Sequence, residues 1–408
     1  MRVLFVVPYA PNLVRTRSYN LIRSLAARGH QVTVLTLWAN ERERMDVEHL
    51  REHSHDVQAL PMPSWRSLLN CVAAVPGGAP LQTVFSWQPA LVSGLNGRSQ
   101  FDVVHVEHLR GARYGLALKA QSQLPVVWDS VDCITHLFKQ ASVSSRNLLG
   151  RLRSRFELGR TSRYEGWLLD KFDHVLVTSP VDRQALLALN VKGARPAPVA
   201  VLGNGVDLAY FTPDTAVTRE PATLVISGKM SYHANVTMTL YLVQSIMPYV
   251  WAHRPDVQVW IVGKDPTREI QALAEHPAVT VTGTITDLRP YLRRATAAVT
   301  PVTYGAGIQN KVLEAMACAT PVITTPQAIS ALQAVPGRDV LVAEQPQALA
   351  QAILDLLGDP GWQQQLGAAG RLYVEAHHNW DHIVGRLEAI YRDVVRARER
   401  AGVVATAT

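Results

Sequence analysis

Short apolar runs rich in β-branched residues alternate with helical patterns along this chain, and the alternation starts twice. Residues 3–7 (VLFVV) are continuously apolar and run into a loop, which predicts a strand buried on both faces. Residues 19–28 follow, with Leu21, Ile22, Leu25 and Ala26 at helical spacing and Gly29 as the stop. Residues 31–37 (QVTVLTL) are a second strand. Strand, helix and strand in that order make a right-handed βαβ unit, so the sheet is parallel. Further strands are predicted at 57–60, 103–106, 126–128 and 175–178, with helical segments between them. That pattern describes a doubly wound α/β domain.

Residues 191–201 (VKGARPAPVAV) are rich in Pro and small residues and lead into the turn-rich GNGVDLAYFTP, so a domain boundary is expected near 203–221. Beyond it the alternation restarts. Strands are predicted at 223–227, 257–262, 278–282, 297–302 and 321–324, and helices at 235–251, 288–294, 348–357 and 362–376. A final long helix at 380–398 carries Ile383, Leu387, Ile390 and Val394 close to a 3.6-residue period. A chain of 408 residues is too long for one ordinary core. The expected division is a first domain at 1–203, a second at 204–378, and a last helix and tail at 379–408.

With 48% hydrophobic and 18% charged residues the composition is that of a soluble globular protein. Cys71, Cys133 and Cys318 are far apart and form no CxxC. They argue against disulfides and zinc, read as small buried hydrophobes, and fit a reducing cytoplasm. No apolar run approaches the roughly 18 residues that span a bilayer. The opening MRVLFVVPYA ends its apolar run at Pro8, and suits a first strand better than a secretory signal. A net charge of +7 and a pI near 9.4 favour anionic partners, either nucleotide phosphates or anionic lipids. No nucleic-acid partner is expected, because no aromatic-interleaved basic stripe is present.

The most specific chemistry lies in residues 301–325, PVTYGAGIQNKVLEAMACATPVITT. A strand runs into a turn holding Gly305 and Gly307, then an amphipathic helix, then another strand. The glycines let the backbone approach a ligand. The helix start offers amide N–H groups to an anion such as a phosphate. Lys311 stands in its first turns, and Glu314 follows about one turn later on a similar face. A cation for phosphates and a carboxylate for sugar hydroxyls are what a nucleotide-sugar needs.

The string GAGIQNKVLEAMA followed by PVITT resembles the donor-binding segment of glycosyltransferase family 4. It is most similar to the sugar transferases of bacterial exopolysaccharide systems associated with PEP-CTERM proteins. The resemblance implies the GT-B architecture over nearly the whole chain. That is two doubly wound Rossmann-like domains facing across a cleft, with the last helix crossing back to the first domain. It also implies a nucleotide-sugar donor, a glycan or lipid-linked acceptor, retention of configuration, and no metal or other cofactor. Asp265, Asp287 and Asp339 are single acids that read as solvated loop residues, and no metal site is expected.

Carried over position by position, Glu314 matches the second carboxylate of the family's pair and would hold the ribose. The first falls at Ala306 and is missing. Asn310 and Lys311 match the Asn-Lys pair of the exopolysaccharide subgroup. Gly228 and Lys229 match the first loop of the donor domain, where a glycine and a basic residue approach the diphosphate. The second lysine of that loop falls at Ala234 and is absent, so Lys311 is expected to compensate, with Lys264 as a further candidate. Lys229 and Lys311 would stabilise the leaving group.

In the first domain, FDVVHVEHLR ends a strand with His105, Glu107 and His108. The family's functional histidine falls at Glu107, with His108 beside it, and either could attend the acceptor hydroxyl. His105 reads as a core or sheet-edge residue. Asp129 and Asp132 resemble the family's acidic strand-end loop on the acceptor side, and Asp132 reads equally as a helix N-cap. Arg15 and Arg17 precede the first helix, where the fold would aim them at donor phosphates, or are solvated arginines at a helix start. Gly203, Asn204 and Gly205 match an interdomain hinge turn.

Residues 146–163 hold six arginines and one acid, Glu157, with Leu148, Leu149, Leu152 and Phe156 at helical spacing. That stretch is either an element lying on an anionic membrane or an ordinary helix with a solvated basic face. Two other functions stay open beside the transferase: a GT-B epimerase acting on the nucleotide-sugar, and a non-catalytic nucleotide-sugar-binding partner.

Overall fold

The computed structural model of the chain describes residues 1–12, 16–93, 100–122, 124–144, 148–304 and 307–406, leaving out the side chains of 141–144, 148–155 and 401–406. Arg15, Gly305 and Ala306 lie outside the described residues, as do 145–147 at the start of the basic stretch. The chain divides into two units, Met1–Gly203 with Trp380–Thr408, and Asn204–Asn379.

The first unit is built on seven parallel strands: β1 (Arg2–Val7), β2 (Gln31–Trp38), β3 (Asp56–Pro61), β4 (Val103–Glu107), β5 (Val126–Val131), β6 (His174–Val177) and β7 (Val199–Val201). Their order in the sheet is β3-β2-β1-β4-β5-β6-β7. Val3 pairs with Val32 on one side and Val103 on the other. Residues 3–7 are wholly buried because helices cover both faces. Alternation along β1 sorts its side chains. Val3, Phe5 and Val7 pack with Leu21, Ile22 and Leu25 of helix Thr16–Ala27, and with Ile383, Leu387 and Val394 of the last helix, Trp380–Thr406. Leu4 and Val6 face the other way, onto Leu109 and Leu118 of helix His108–Gln121. Gly29, at φ 84, ends the first helix, and His30 N–H donates back to Leu25 O at 3.1 Å.

The Pro-rich stretch 191–201, for which no strand is predicted, ends in β7. Val175, Leu176 and Val177 pair with Val199, Ala200 and Val201 at the sheet edge. An edge strand bonds on one side only, so a short Pro-flanked segment serves.

The second unit holds six parallel strands: β8 (Glu220–Ser227), β9 (Gln258–Val262), β10 (Val279–Val281), β11 (Ala295–Thr300), β12 (Val322–Thr324) and β13 (Leu341–Val342). Their order is β10-β9-β8-β11-β12-β13. The helix expected over 235–251 is not continuous. Helix His233–Tyr241 passes through a π turn at Leu242–Ile246 before helix Met247–Trp251. Pro248 has no N–H for the regular ladder, and the wider turn absorbs the lost bond. β13, only two residues long, has no sequence signal of its own.

Arg219 fastens the base of this sheet. Its guanidinium donates to Ala295 O at 2.6 Å, Ala319 O at 2.8 Å and Leu292 O at 3.3 Å. The two passages of the chain into and out of the second unit run side by side. Val206 N–H donates to His378 O at 2.8 Å, and His378 Nδ1 lies 2.7 Å from Asn204 O.

Candidate functional site

In each sheet the winding reverses once, between β1 and β4 in the first unit and between β8 and β11 in the second. Ligands of open parallel sheets bind outside the carboxyl ends of the strands at such a reversal. The two sites are described separately.

In the second unit, β11 leads through Tyr304 and Gly307 into helix Asn310–Ala317. Gly307 sits at φ 73, in the left-handed region that favours glycine. Gln309 caps the helix without a side-chain bond, so no side chain of the cap occupies the first-turn amides. Asn310 is the first helical residue and Lys311 the second. Lys311 Nζ donates to Gln309 Oε1 at 2.9 Å. Burial lowers the Lys311 ammonium to about 8 against the pull of Glu314. Burial raises the Glu314 carboxyl to about 7 against the pull of Lys311. Both side chains keep some solvent contact, so each can meet a ligand as well as the other.

Across the reversal, Gly228, φ 149, follows β8 and Gly263, φ 150, follows β9. A Cβ on Gly263 would stand 1.7 Å from Gly228 O, and one on Gly228 would stand 2.7 Å from Asn235 Nδ2. Asn235 Nδ2 donates to Lys229 O at 3.0 Å, and Met230 N–H to Lys264 O at 2.9 Å, which fixes the loop. Lys229 is half exposed, with Nζ 3.9 Å from Asp265 Oδ2. An ion pair that long and that wet holds the lysine only loosely.

Sequence reasoning missed three members of this site. Gly263 gave a signal, as a glycine straight after a strand. His233 and Tyr304 gave none. His233 Nδ1 lies 2.7 Å from the Tyr304 hydroxyl, and the rings stack at 5.5 Å, joining the start of helix His233–Tyr241 to the loop after β11.

In the first unit, Glu107 closes β4 and is buried. The Tyr9 hydroxyl, from the loop after β1, donates to its Oε1 at 2.5 Å. Its Oε2 accepts no hydrogen bond among the described residues. Burial, and next the charge of Asp129, push this carboxyl up to about 7. His108 follows at φ 66 and opens helix His108–Gln121. Such a backbone is tolerated by histidine at some strain. Its Nδ1 accepts from Arg110 N–H at 3.3 Å, which assigns the proton to Nε2. Burial first, and the Arg110 charge second, push the imidazole down to about 3, so it is neutral.

Three expectations for this unit need correction. Arg17 does not face outward toward phosphates. It is buried, with Nε 2.9 Å and Nη2 2.7 Å from Asp129 Oδ2, and Nη1 donating to Gly203 O at 3.2 Å. Asp129 is wholly buried, so it meets no acceptor. Burial raises its carboxyl, but Arg17 and His105 outweigh that and hold it at about 2. A buried charge persists only when paired, and these two pair with each other. His105 is a core residue, stacked on Phe5 with ring centroids 4.1 Å apart. Asp132 does not cap a helix. Its Oδ1 accepts from Thr178 Oγ1 at 3.1 Å, and burial, then Asp182, raise its carboxyl to about 6. The helix that follows, Ile134–Ser144, is capped from a distance by Glu165, which accepts from the N–H groups of Ile134 and Thr135, both at 2.9 Å.

Comparison with known proteins agrees with this geometry. Residues 14–205 match the family model described as Glycosyl transferase 4-like domain, and residues 221–359 match that of Glycosyl transferases group 1. A GDP-mannose-dependent monoacylated alpha-(1-6)-phosphatidylinositol monomannoside mannosyltransferase of Corynebacterium glutamicum is 29% identical over 215 residues, 48% of this chain and 56% of that protein. The match thus spans little more than half of this curated relative. The sucrose-phosphate synthase structure from Thermosynechococcus elongatus superposes with a TM-score of 0.68 at 19% identity, covering 97% of this chain and 100% of that one. Anabaena Alr3699/HepE, solved in complex with UDP and glucose, gives 0.66 at 14% identity, covering 96% and 100%. The two family models take in most of each unit, and the structural likenesses establish the fold. The chain belongs to the glycosyltransferases of the GT-B fold, with a 4-like domain in its first unit and a group 1 domain in its second.

Proposed function

We propose that the chain transfers a sugar from a nucleotide-sugar to a hydroxyl of a glycan or lipid-linked acceptor, with retention and without a metal ion, in the synthesis of a cell-surface polysaccharide. One observation carries this reading. Lys311 and Glu314 stand one turn apart at the start of a helix that begins where the second sheet reverses its winding. The relatives are consistent with such a donor, one being GDP-mannose-dependent and another solved with UDP and glucose.

In this reading the diphosphate lies on the amides of helix Asn310–Ala317, with Gly228 and Gly307 letting the backbone come close. Lys311 and Lys229 neutralise charge as it develops on the leaving phosphate. Glu314 accepts from the ribose hydroxyls. The bond from the anomeric carbon to the phosphate oxygen breaks on the face where the acceptor oxygen bonds, and the acceptor proton passes to the departing phosphate. Glu107, its carboxyl poised near neutrality and one buried oxygen still without a hydrogen bond among the described residues, holds the acceptor hydroxyl. His108 presents its Nε2 proton to the same group.

The purified chain, incubated with a panel of UDP-, GDP- and ADP-sugars, tests this. The expected result is a raised melting temperature with one donor class and slow release of nucleotide and free sugar. Tight binding without turnover, even with acceptors, would mark a scaffold. A new nucleotide-sugar would mark an epimerase. Either outcome overturns the transferase.

A further inference from the structure

Helix Ser64–Ala74 is inside out. Its buried face is polar: Ser67 is buried, and Asn70 Nδ2 donates to Val84 O at 3.0 Å and Trp87 O at 2.9 Å. Its solvent face is apolar. Trp65, Leu68, Leu69 and Val72, at positions i, i+3, i+4 and i+7 of one stripe, are 63%, 64%, 58% and 60% exposed. Two neighbouring helices expose further aromatics. Phe85, from the adjoining helix Leu81–Phe85, is exposed, and so is Phe156 of helix Leu148–Leu168. Arg160 ties that helix to the end of Ser64–Ala74, with Nη1 3.4 Å from Ala74 O. An exposed apolar stripe with further exposed aromatics on the neighbouring helices marks a partner.

We propose that this surface docks the first unit onto an anionic lipid bilayer. The charges around it select that occupant. Helices Ser64–Ala74 and Leu81–Phe85 carry one charged residue between them, Arg66. Arg110 lies over the Phe85 ring at 5.0 Å and Arg160 over the Phe156 ring at 4.3 Å. Arg163 is exposed. Both acids of helix Leu148–Leu168 turn inward: Glu157 accepts from Leu81 N–H at 2.9 Å, and Glu165 caps a neighbouring helix. Among the described residues of these helices the rim therefore offers cations and no carboxylate. An apolar stripe with a tryptophan, rimmed by arginines, matches a headgroup layer in which aromatic and aliphatic side chains reach the acyl boundary and guanidinium groups meet phosphates. A second copy fits less well, because a two-fold contact brings the same cations together. No helix among the described residues is long and apolar enough to cross a membrane, so the contact is interfacial. The inference goes beyond the donor chemistry and stands without it.

The experiment is co-sedimentation of the full chain with vesicles of phosphatidylglycerol or of phosphatidylcholine, beside a Leu68→Glu/Val72→Glu variant. Both substituted side chains face solvent, so the melting temperature of the variant stays that of the parent. The expected result is binding to phosphatidylglycerol, weaker at high salt, reduced about tenfold or more in the variant. Equal binding by the variant, or no preference for the anionic vesicles, overturns the proposal. So does a parent that is dimeric by light scattering and becomes monomeric in the variant without ever binding vesicles. The donor-induced melting shift reads the second unit separately and is unchanged in the variant.

Discussion

The hydroxyl of Tyr391, on the last helix, lies 2.8 Å from Nδ1 of His105 in the middle of the first sheet. Both residues are fully buried. The other ring nitrogen of His105 is 3.5 Å from Asp129 Oδ2, which holds Arg17. Tyr391→Phe leaves the buried imidazole without its partner, which costs about 1–3 kcal/mol. Thermal melting of the variant is expected several degrees below the parent.

Glu107 makes the first unit less stable as the solution becomes alkaline. Its carboxyl is raised from 4.5 to about 7 in the fold, so the folded state holds the proton more tightly than the unfolded chain. The penalty for ionising it enters as pH rises from the lower value to the upper, and reaches roughly 3 kcal/mol above both. Glu107→Gln keeps an acceptor for Tyr9 and removes the penalty. Urea unfolding is expected to show the variant near the parent at about pH 4 and clearly more stable at about pH 8. A difference that does not change with pH would refute the assignment. Sugar transfer by the same variant is expected to be lost.

Gly263→Ala cannot be accommodated in place, since the new carbon would meet a backbone oxygen at 1.7 Å. Gly283→Ala is a useful contrast, because Gly283 has φ 67 and nothing within 4 Å of the added carbon. The second substitution carries only the strain of its backbone, about 1–2 kcal/mol. The first is expected to exceed it in denaturant titrations. It is also expected to weaken nucleotide-sugar binding by about tenfold or more through the displaced Gly228–Met230 loop. Calorimetric titration with the donor checks the second effect.

Donor binding is expected to have a narrow pH window. Glu314 is ionised above about 7, and Lys311 is protonated below about 8. A site that needs a carboxylate for the ribose and an ammonium for the phosphates loses the first as pH falls and the second as pH rises. Glu314→Gln is expected to remove the acid limb and Lys311→Met the alkaline limb, each weakening binding at pH 7.5 by about 10- to 100-fold. Affinity measured across pH for the three proteins decides it, and limbs that persist in both variants would belong to other groups.

Much of the fold was legible in the sequence, because buried parallel strands announce themselves as apolar runs and the helices between them carry a 3.6-residue period. What failed was decided by pairing. β7 and β13 are short edge strands, visible only once β6 and β12 exist to receive them. The interruption at Leu242–Ile246 follows from Pro248, a local signal that the strong helical period on either side concealed. In the second unit, the residues read from local sequence follow neighbouring strands: Gly228 and Lys229 come after β8, and Gly307, Asn310, Lys311 and Glu314 after β11. The first unit was harder. Whether Arg17 and Asp129 faced outward depended on each finding the other across 112 positions of chain, and no local pattern encodes that.

The first unit draws its hydrophobic core from chain segments that precede and follow the second in the sequence. Phe5 and Leu21 pack with Leu387 and Tyr391, and Arg28 reaches Glu388 across 360 positions at 2.7 Å. During synthesis, Asn204–Asn379 can therefore close on its own while the earlier residues still wait for their covering helix. The amino-terminal portion is completed last, and until Val394 has left the ribosome it presents an open apolar sheet to the chaperones of the cell.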